Sequence, residues 1–167
     1  DGTVSADFSA GSVDLEGVDT EDDGKIDPSA TLTDVPREPD AVAWIDADHF
    51  VTANEGDWNG GSRGFTIWNK DGSVVYDSGT LIDDELVRIG HYPEGRSDNK
   101  GGEPEAVITA QYGEQPLIFV ASERGSIVFV FDASNPAQPT LLQALPSGIG
   151  PEGLVAIPER NLFATAN

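Results

Sequence analysis

The stretch DTEDDGKID, residues 19–27, has the residue types and the spacing of a calcium-binding loop. Its candidate ligands are the side chains of Asp19, Glu21, Asp23 and Asp27 and the carbonyl oxygen of Lys25. Calcium loops use alternate oxygen ligands around a glycine turn, here Gly24. The twelfth position is Ala30 instead of a bidentate Glu, and Pro28 prevents an exit helix, so this is not an EF-hand. Two interpretations remain, a calcium site of another kind and a solvated acidic turn.

Acidic residues also recur at fixed positions of a sequence motif that the chain repeats. The copies of the motif begin at Pro39, Pro104 and Pro151, which are followed by Asp40, Glu105 and Glu152. In the first two copies a second apolar run ends just before Glu55 and Glu123. If the copies lie around one axis, their carboxylates form a ring that suits a hard cation such as calcium. Alternatively, these residues form structural turns and caps.

Two arginines stand close to these carboxylates in the sequence. Arg63 in GGSRG and Arg124 in SERG both precede a third apolar run. A guanidinium group beside carboxylates can clamp a phosphate next to a metal, whereas an arginine paired with a nearby Glu would hold one repeat against the next. Glu55, Glu123 and Arg63 are therefore the candidate catalytic residues if the protein is a phosphoesterase.

The apolar runs that must position these residues alternate with period two and are separated by turn residues, which predicts β-strands. Four strands are predicted in each of two units, and two in a third, at residues 41–46, 49–54, 64–69, 73–78, 105–110, 117–122, 126–132, 140–145, 154–157 and 162–166. Four antiparallel strands in about 40–50 residues are typical of a β-propeller blade. The prediction is an all-β fold with about two and a half blades, and the alternative is a β-sandwich. Because a ring needs about four to eight blades, the remaining blades of a longer chain are expected partners.

The predicted organisation has five segments. Residues 1–36 form an acidic inserted loop with the calcium-like turn, 37–79 and 103–148 are blades, 80–102 is an inserted helix and polar loop, and 149–167 is the first half of a further blade. The helix is predicted over residues 80–90, with Gly90 as its terminator, and residues 91–102 are predicted to be flexible. Trp44 and Trp68 are expected in the core, and Trp58 on the surface.

Charge and composition exclude several classes of function. The chain has 30 Asp and Glu against 9 Lys and Arg, a formal net charge of −21. Such a field repels nucleic acid and anionic membranes and attracts cations. The chain contains no cysteine, which excludes disulfides, thiolate metal sites and a cysteine nucleophile. No apolar run reaches the ~18–20 residues of a membrane span.

Four stretches resemble one protein family: VPREPDAVAW, FVTANEGDWNGGSRGFTIWNKDGSVVYDSG, IGHYPEGRSDNKGGEPEAV and LPSGIGPEGLVAIPERNLFATAN. The chain from about Val35 to Asn167 is similar to the secreted bacterial propellers called choice-of-anchor I proteins. These are often labelled alkaline phosphatase and are similar to an animal mesenchyme-specific cell-surface glycoprotein. The resemblance implies a seven-bladed propeller, export, and attachment through a separate terminal anchor.

The sequence therefore predicts a secreted or cell-surface protein, extracellular or periplasmic, that binds calcium through the ring of carboxylates around the propeller axis. One hypothesis makes it a calcium-dependent phosphoesterase, in which the metal polarises the phosphoryl group and an arginine steadies the developing charge. The alternative is a non-catalytic propeller that binds a glycan, a protein or a matrix component. In that case calcium only stiffens its loops.

Overall fold

The computed structural model describes residues 3–4, 6–56 and 58–167, and over these residues the chain forms twelve β-strands in four antiparallel sheets. A hairpin comes first, with β1 at Ser12–Val18 and β2 at Ala30–Pro36. The first four-stranded sheet follows, with β3 at Pro39–Trp44, β4 at His49–Asn54, β5 at Phe65–Asn69 and β6 at Val74–Asp77. The predicted all-β class with four-stranded blades is confirmed.

A helical insertion separates the two complete sheets. It holds α1 at Leu81–Ile89 and a 3₁₀ turn at Glu94–Arg96. The second sheet has β7 at Pro104–Tyr112, β8 at Gln115–Ser122, β9 at Ile127–Asp132 and β10 at Thr140–Pro146. A last pair has β11 at Gly153–Ile157 and β12 at Leu162–Ala166, with a 3₁₀ turn at Pro158–Arg160 between them. No helix in the described part of the chain is long and apolar enough to span a membrane.

Short polar residues close the hairpins of the first sheet. The Asp46 carboxylate accepts the backbone N–H groups of Asp48 and His49, at 2.7 and 2.9 Å, which bends the chain between β3 and β4. Gly72 has a φ of +87°, a conformation that side chains disfavour, and this allows the tight turn between β5 and β6. Each strand therefore pairs with its neighbour in sequence, as in a meander.

The second sheet is buried on both faces because two neighbouring sheets pack against it. Along β8, Ile118 and Val120 face the core shared with the first sheet, and Phe119 faces the other way. Phe119 stacks on Phe163 of β12, with ring centroids 4.6 Å apart. Alternation along one strand thus supplies two cores, which is how blades stack face to face.

Helix α1 fills the space at the end of the first core. Ile82 and Leu86 are fully buried there, and the helix ends at Gly90, whose left-handed conformation lets its N–H reach the Val87 carbonyl. The predicted helix and its terminator are confirmed.

The three tryptophans divide differently from the prediction. Trp68 is buried and Trp58 is 86% exposed, as expected, but Trp44 is 58% exposed, so its assignment to the core was wrong. On β3 the side chains of Ala41 and Ala43 pack against the core. Strand alternation therefore turns Trp44 to the opposite face, where it contacts Phe50 with ring centroids 5.4 Å apart.

Candidate functional site

The first strands of the two complete sheets and of the last pair lie side by side, since β7 packs next to both β3 and β11. Their acidic residues meet at one end for a local reason. In both complete sheets the register slips by one residue just after the motif proline, between Pro39 and Ala41 and between Pro104 and Ala106. Asp40 and Glu105 lie at these slips, and such bulges re-aim a side chain.

The same end receives the residues that follow the second strand of each sheet. The Glu55 N–H donates to the Glu38 carbonyl at 3.2 Å, and the Glu123 N–H donates to the Glu103 carbonyl at 2.9 Å. The repeated sequence motif thus corresponds to a repeated backbone geometry. This geometry places carboxylates from both sheets at one edge.

Three of these carboxylates form a group of the size that holds a metal ion. Oxygens of Asp40, Glu55 and Glu105 all lie within 4.8 Å of one another. We call these three residues the mouth cluster. Within the described part of the chain, Asp40 and Glu105 have no ion pair with a Lys, Arg or His side chain. The cluster therefore concentrates negative charge that is only partly compensated.

The electrostatic cost of this arrangement is visible at Glu105. Burial raises the pKa of Glu105, and the nearby carboxylates of Glu55, Asp40, Glu123 and Glu152 raise it further, to about 7. Burial likewise raises the pKa of Glu123, against the opposing charge of Arg124. The predicted carboxylates Asp40, Glu55, Glu105, Glu123 and Glu152 are therefore electrostatic neighbours. A cation at this edge would relieve their repulsion.

A second acidic group, Glu55, Glu103 and Glu123, shares Glu55 with the mouth cluster. Its negative charge is balanced by basic side chains of the protein itself. Glu103 is fully buried, and its carboxylate accepts hydrogen bonds from Arg96 at 2.5 and 2.8 Å and from Arg124 at 3.2 Å. Burial alone would raise the pKa of Glu103, but Arg96, Lys100 and Arg124 hold it below its ordinary value. Arg124 also pairs with Glu123 at 2.9 Å. We call this set the Glu103 network.

Lys100 joins the two groups. Its ammonium lies 2.6 Å from Glu55 Oε1 and 3.6 Å from Glu103 Oε2, and its side chain is only 8% exposed. The loop that carries it was predicted to be flexible, yet Ser97 in the same loop is fully buried. Sequence reasoning missed these roles of Lys100 and Glu103. The available signal was a cluster of basic residues in an otherwise acidic chain.

Arg63 lies in the protein interior and not at a surface where it could clamp a phosphate. It is 2% exposed, and its guanidinium donates to the carbonyl groups of Asp19 at 2.9 Å, Ser97 at 2.7 Å and Asn99 at 3.2 Å. It also lies 3.6 Å from Asp83, whose pKa burial raises to about 6. The expectation that Arg63 faces a ligand is corrected by this burial. Its contacts are structural, and no feature of the sequence indicated that Asp83 would pair with it.

The acidic turn, residues 19–27, uses its carboxylates on its own backbone. The Asp19 carboxylate accepts the backbone N–H groups of Glu21 at 3.2 Å and of Asp27 at 3.0 Å. The Asp23 carboxylate accepts the backbone N–H of Lys25 and pairs with the ammonium group of the same residue. Among the residues that the structure describes, the acidic groups close enough to share a metal ion lie at the mouth cluster and the Glu103 network, and none in this turn. The structure thus does not bring together Asp19, Glu21, Asp23, Lys25 and Asp27 as ligands.

Known proteins with similar sequence or structure agree with this architecture. Residues 58–136 match the family model of the choice-of-anchor I domain, which indicates a surface-anchored or extracellular protein. Gigasin-3a of Magallana gigas is 26% identical over 104 residues, covering 53% of this chain and 37% of the relative. The crystal structure of RRP9 WD40 repeats superposes with a TM-score of 0.53 at 14% identity, covering 76% of this chain and 34% of that chain.

These similarities confirm the predicted resemblance to choice-of-anchor I proteins over the matched residues and the β-propeller fold. The chain spans about a third of the length of the relative and of the solved structure that it matches. The two complete sheets are therefore propeller blades, with β3 and β7 as their inner strands.

Proposed function

We propose that this chain belongs to a secreted or cell-surface propeller that binds calcium at the mouth cluster, and that the bound cation supports recognition of an extracellular ligand. The observation that carries the proposal is the convergence of Asp40, Glu55 and Glu105 within 4.8 Å, with Asp40 and Glu105 lacking a cationic partner among the described residues. Proteins tolerate such a concentration of charge where a cation balances it.

The donor set fits calcium. Calcium takes six to eight oxygen ligands and accepts carboxylates in flexible geometry, and all three side chains of the mouth cluster offer carboxylate oxygens. Asp40 is exposed, so part of the coordination sphere faces solvent and is open to water or to a ligand. When bound, the cation would supply positive charge that holds oxygen atoms of a ligand.

Binding is favoured over hydrolysis because one of the two candidate arginines is buried in structural contacts. Arg63, the expected phosphate clamp, is buried against three backbone carbonyl groups. A surface suited to ligands is present nearby at Trp58, which is 86% exposed. Its backbone N–H donates to the Glu38 carboxylate at 2.7 Å, and that of Asn59 does so at 2.8 Å, which fixes the loop beside the mouth cluster.

Calcium-dependent phosphoester hydrolysis is the second candidate, and Arg124 is the residue that favours it. Its side chain is 43% exposed and its guanidinium lies 2.9 Å from Glu123, so it can reach a ligand anion at this edge. Glu55 and Glu123 are the other residues proposed for this activity. Hydrolysis of a generic phosphomonoester, measured with calcium and then with a chelator, separates the two functions.

The cation proposal is tested by calorimetric titration of the protein with calcium and by the shift of its melting temperature. We expect one calcium ion per chain with a Kd of about 10⁻⁴–10⁻³ M, the range of extracellular calcium-binding modules. The double variant Asp40→Asn/Glu105→Gln should weaken binding by about a hundredfold, because two of three charged ligands are lost.

A matched control is Asp48→Asn, which removes an exposed carboxylate paired with Lys70 at the opposite end of the first blade. It should bind calcium like the wild type. Equal calcium affinity in the double variant and the wild type would refute the assignment to the mouth cluster.

A further inference from the structure

Glu55 is shared between the mouth cluster and an internal ammonium group. Its carboxylate belongs to the group of three that meets within 4.8 Å, and its Oε1 accepts a hydrogen bond from Lys100 at 2.6 Å. A cation bound by Asp40, Glu55 and Glu105 would therefore lie close to a second positive charge. Because like charges repel most strongly where water is largely excluded, the two cations compete for Glu55.

Lys100 is held in place by more than this one contact. Its side chain is 8% exposed and also lies 3.6 Å from Glu103. Its loop is fixed by hydrogen bonds from Arg63 to the carbonyl groups of Ser97 and Asn99. The ammonium is thus a tethered charge beside the cluster and does not diffuse away as a counter-ion from solvent would.

Lys100 is not required to neutralise Glu103. Arg96 donates two hydrogen bonds to one oxygen of Glu103, and Arg124 donates one to the other. Two guanidinium groups would therefore still face the buried Glu103 carboxylate if the Lys100 charge were removed. Of these two described contacts of the Lys100 ammonium, the one to Glu55 is the shorter, at 2.6 Å against 3.6 Å to Glu103.

We propose that Lys100 is a built-in competitor that lowers the calcium affinity of the mouth cluster, so that the site fills only at the high calcium concentrations found outside cells. This inference rests on the proposed cation function and adds a determinant of its affinity. Calcium sites reach millimolar or submicromolar affinity according to the net charge of their ligands and the rigidity of the site. Lys100 reduces that net charge without occupying the exposed side of the cluster.

The inference predicts a gain of binding on removal of a side chain. Lys100→Met keeps most of the apolar stem and deletes the charge, and it should tighten calcium binding by about tenfold or more. Lys100→Arg keeps the charge and should bind within about threefold of the wild type. Lys70→Met, which removes the ammonium paired with exposed Asp48, is the matched control and should leave the affinity unchanged.

The outcomes separate this inference from the function on which it rests. If the wild type and Lys100→Met both bind no calcium, the proposed function fails. If the wild type binds calcium and Lys100→Met binds it equally or more weakly, the function stands and the competitor role of Lys100 is refuted.

A measurement on the wild type covers the case in which Lys100→Met does not fold. With ¹³C-labelled lysine, calcium should shift the Cε resonance of Lys100, assigned from Lys100→Arg, and leave that of Lys70 unmoved. No shift of the Lys100 resonance at saturating calcium would overturn the proposal.

Discussion

The acidic turn at residues 19–27 and the mouth cluster are both rich in carboxylates, yet only one of them forms a group that can share an ion. In the turn, Asp19 accepts N–H groups of its own loop and Asp23 pairs with Lys25 two residues away. At the mouth, the carboxylates come from two blades, and Glu105 is separated from Asp40 by a whole blade of sequence.

The difference shows that the density of acidic residues is a poor guide to a cation site. A local turn lets Asp side chains cap the nearest backbone N–H groups, which satisfies their acceptor capacity. Side chains that converge from separate strands have no such local partner. Their repulsion persists in the folded protein, as the raised pKa of Glu105 indicates.

The largest expected effect is the loss of Glu103, because three cations depend on it. Glu103→Gln should lower the free energy of unfolding by about 3 kcal/mol, because it removes the charged acceptor of Arg96 and Arg124 at a fully buried position and weakens the pairing of the buried Lys100 ammonium. Denaturant unfolding at neutral pH measures this loss. Asp48→Asn, which breaks an exposed pair, should cost less than about 1 kcal/mol. Equal costs for the two variants would contradict the central role of Glu103.

A somewhat smaller effect is expected at Arg63. It joins the two regions by donating to the Asp19 carbonyl of the turn and to the Ser97 carbonyl of the loop that carries Lys100. Arg63→Lys keeps the charge but loses the planar fork, and it should lower the free energy of unfolding by about 2–3 kcal/mol. The control Arg88→Lys alters an exposed pair with Glu85 and should leave the free energy of unfolding unchanged. A neutral Arg63→Lys would show that these contacts do not join the two regions.

The pH dependence of stability should distinguish the mouth cluster from the acidic turn. The pKa of Glu105 is about 7 in the folded protein against an ordinary 4.5, so between these values the folded state keeps a proton that the unfolded chain releases. Stability without divalent cations should therefore fall as pH rises from about 4.5 to 7, and Glu105→Gln should reduce that fall.

Melting temperatures measured from pH 4.5 to 8 in the presence of a chelator test this. Asp83, whose pKa is about 6, contributes in the same direction, so part of the slope below pH 6 should remain in Glu105→Gln. An unchanged slope between pH 6 and 7 in that variant would contradict the environment described for Glu105.

The smallest effect is expected in the acidic turn. Asp23→Asn removes a pair in which the Lys25 and Asp23 side chains are 78% and 48% exposed, and it should cost no more than about 0.5 kcal/mol. Calcium affinity should not change. A tenfold loss of affinity in Asp23→Asn would reverse the comparison and make the turn the site.

The sequence was sufficient for most of the fold because the relevant signals are local. Alternating apolar runs predicted the strands, and Asp46 and Gly72 marked their turns. The repeated prolines predicted which carboxylates would share an edge. The exposure of Trp44 was not predicted, because alternation along a single strand does not show which of its two faces is covered.

The partners of the charged residues could not be predicted in the same way. Arg63 and Asp83 are separated by 20 positions and meet only after α1 packs against the blades. Lys100 and Glu55 are 45 positions apart and come from different segments of the chain. Pairing of this kind depends on the packing of whole elements, which residue spacing does not encode.

The most direct test of the account is a crystal structure of the protein soaked in manganese, with anomalous scattering used to locate the ion. Manganese accepts the same oxygen ligands as calcium, and its anomalous scattering distinguishes it from the atoms of the protein. We expect a peak bounded by the carboxylates of Asp40, Glu55 and Glu105. A peak within residues 19–27, or none at the mouth cluster at saturating manganese, would contradict the proposed cation site.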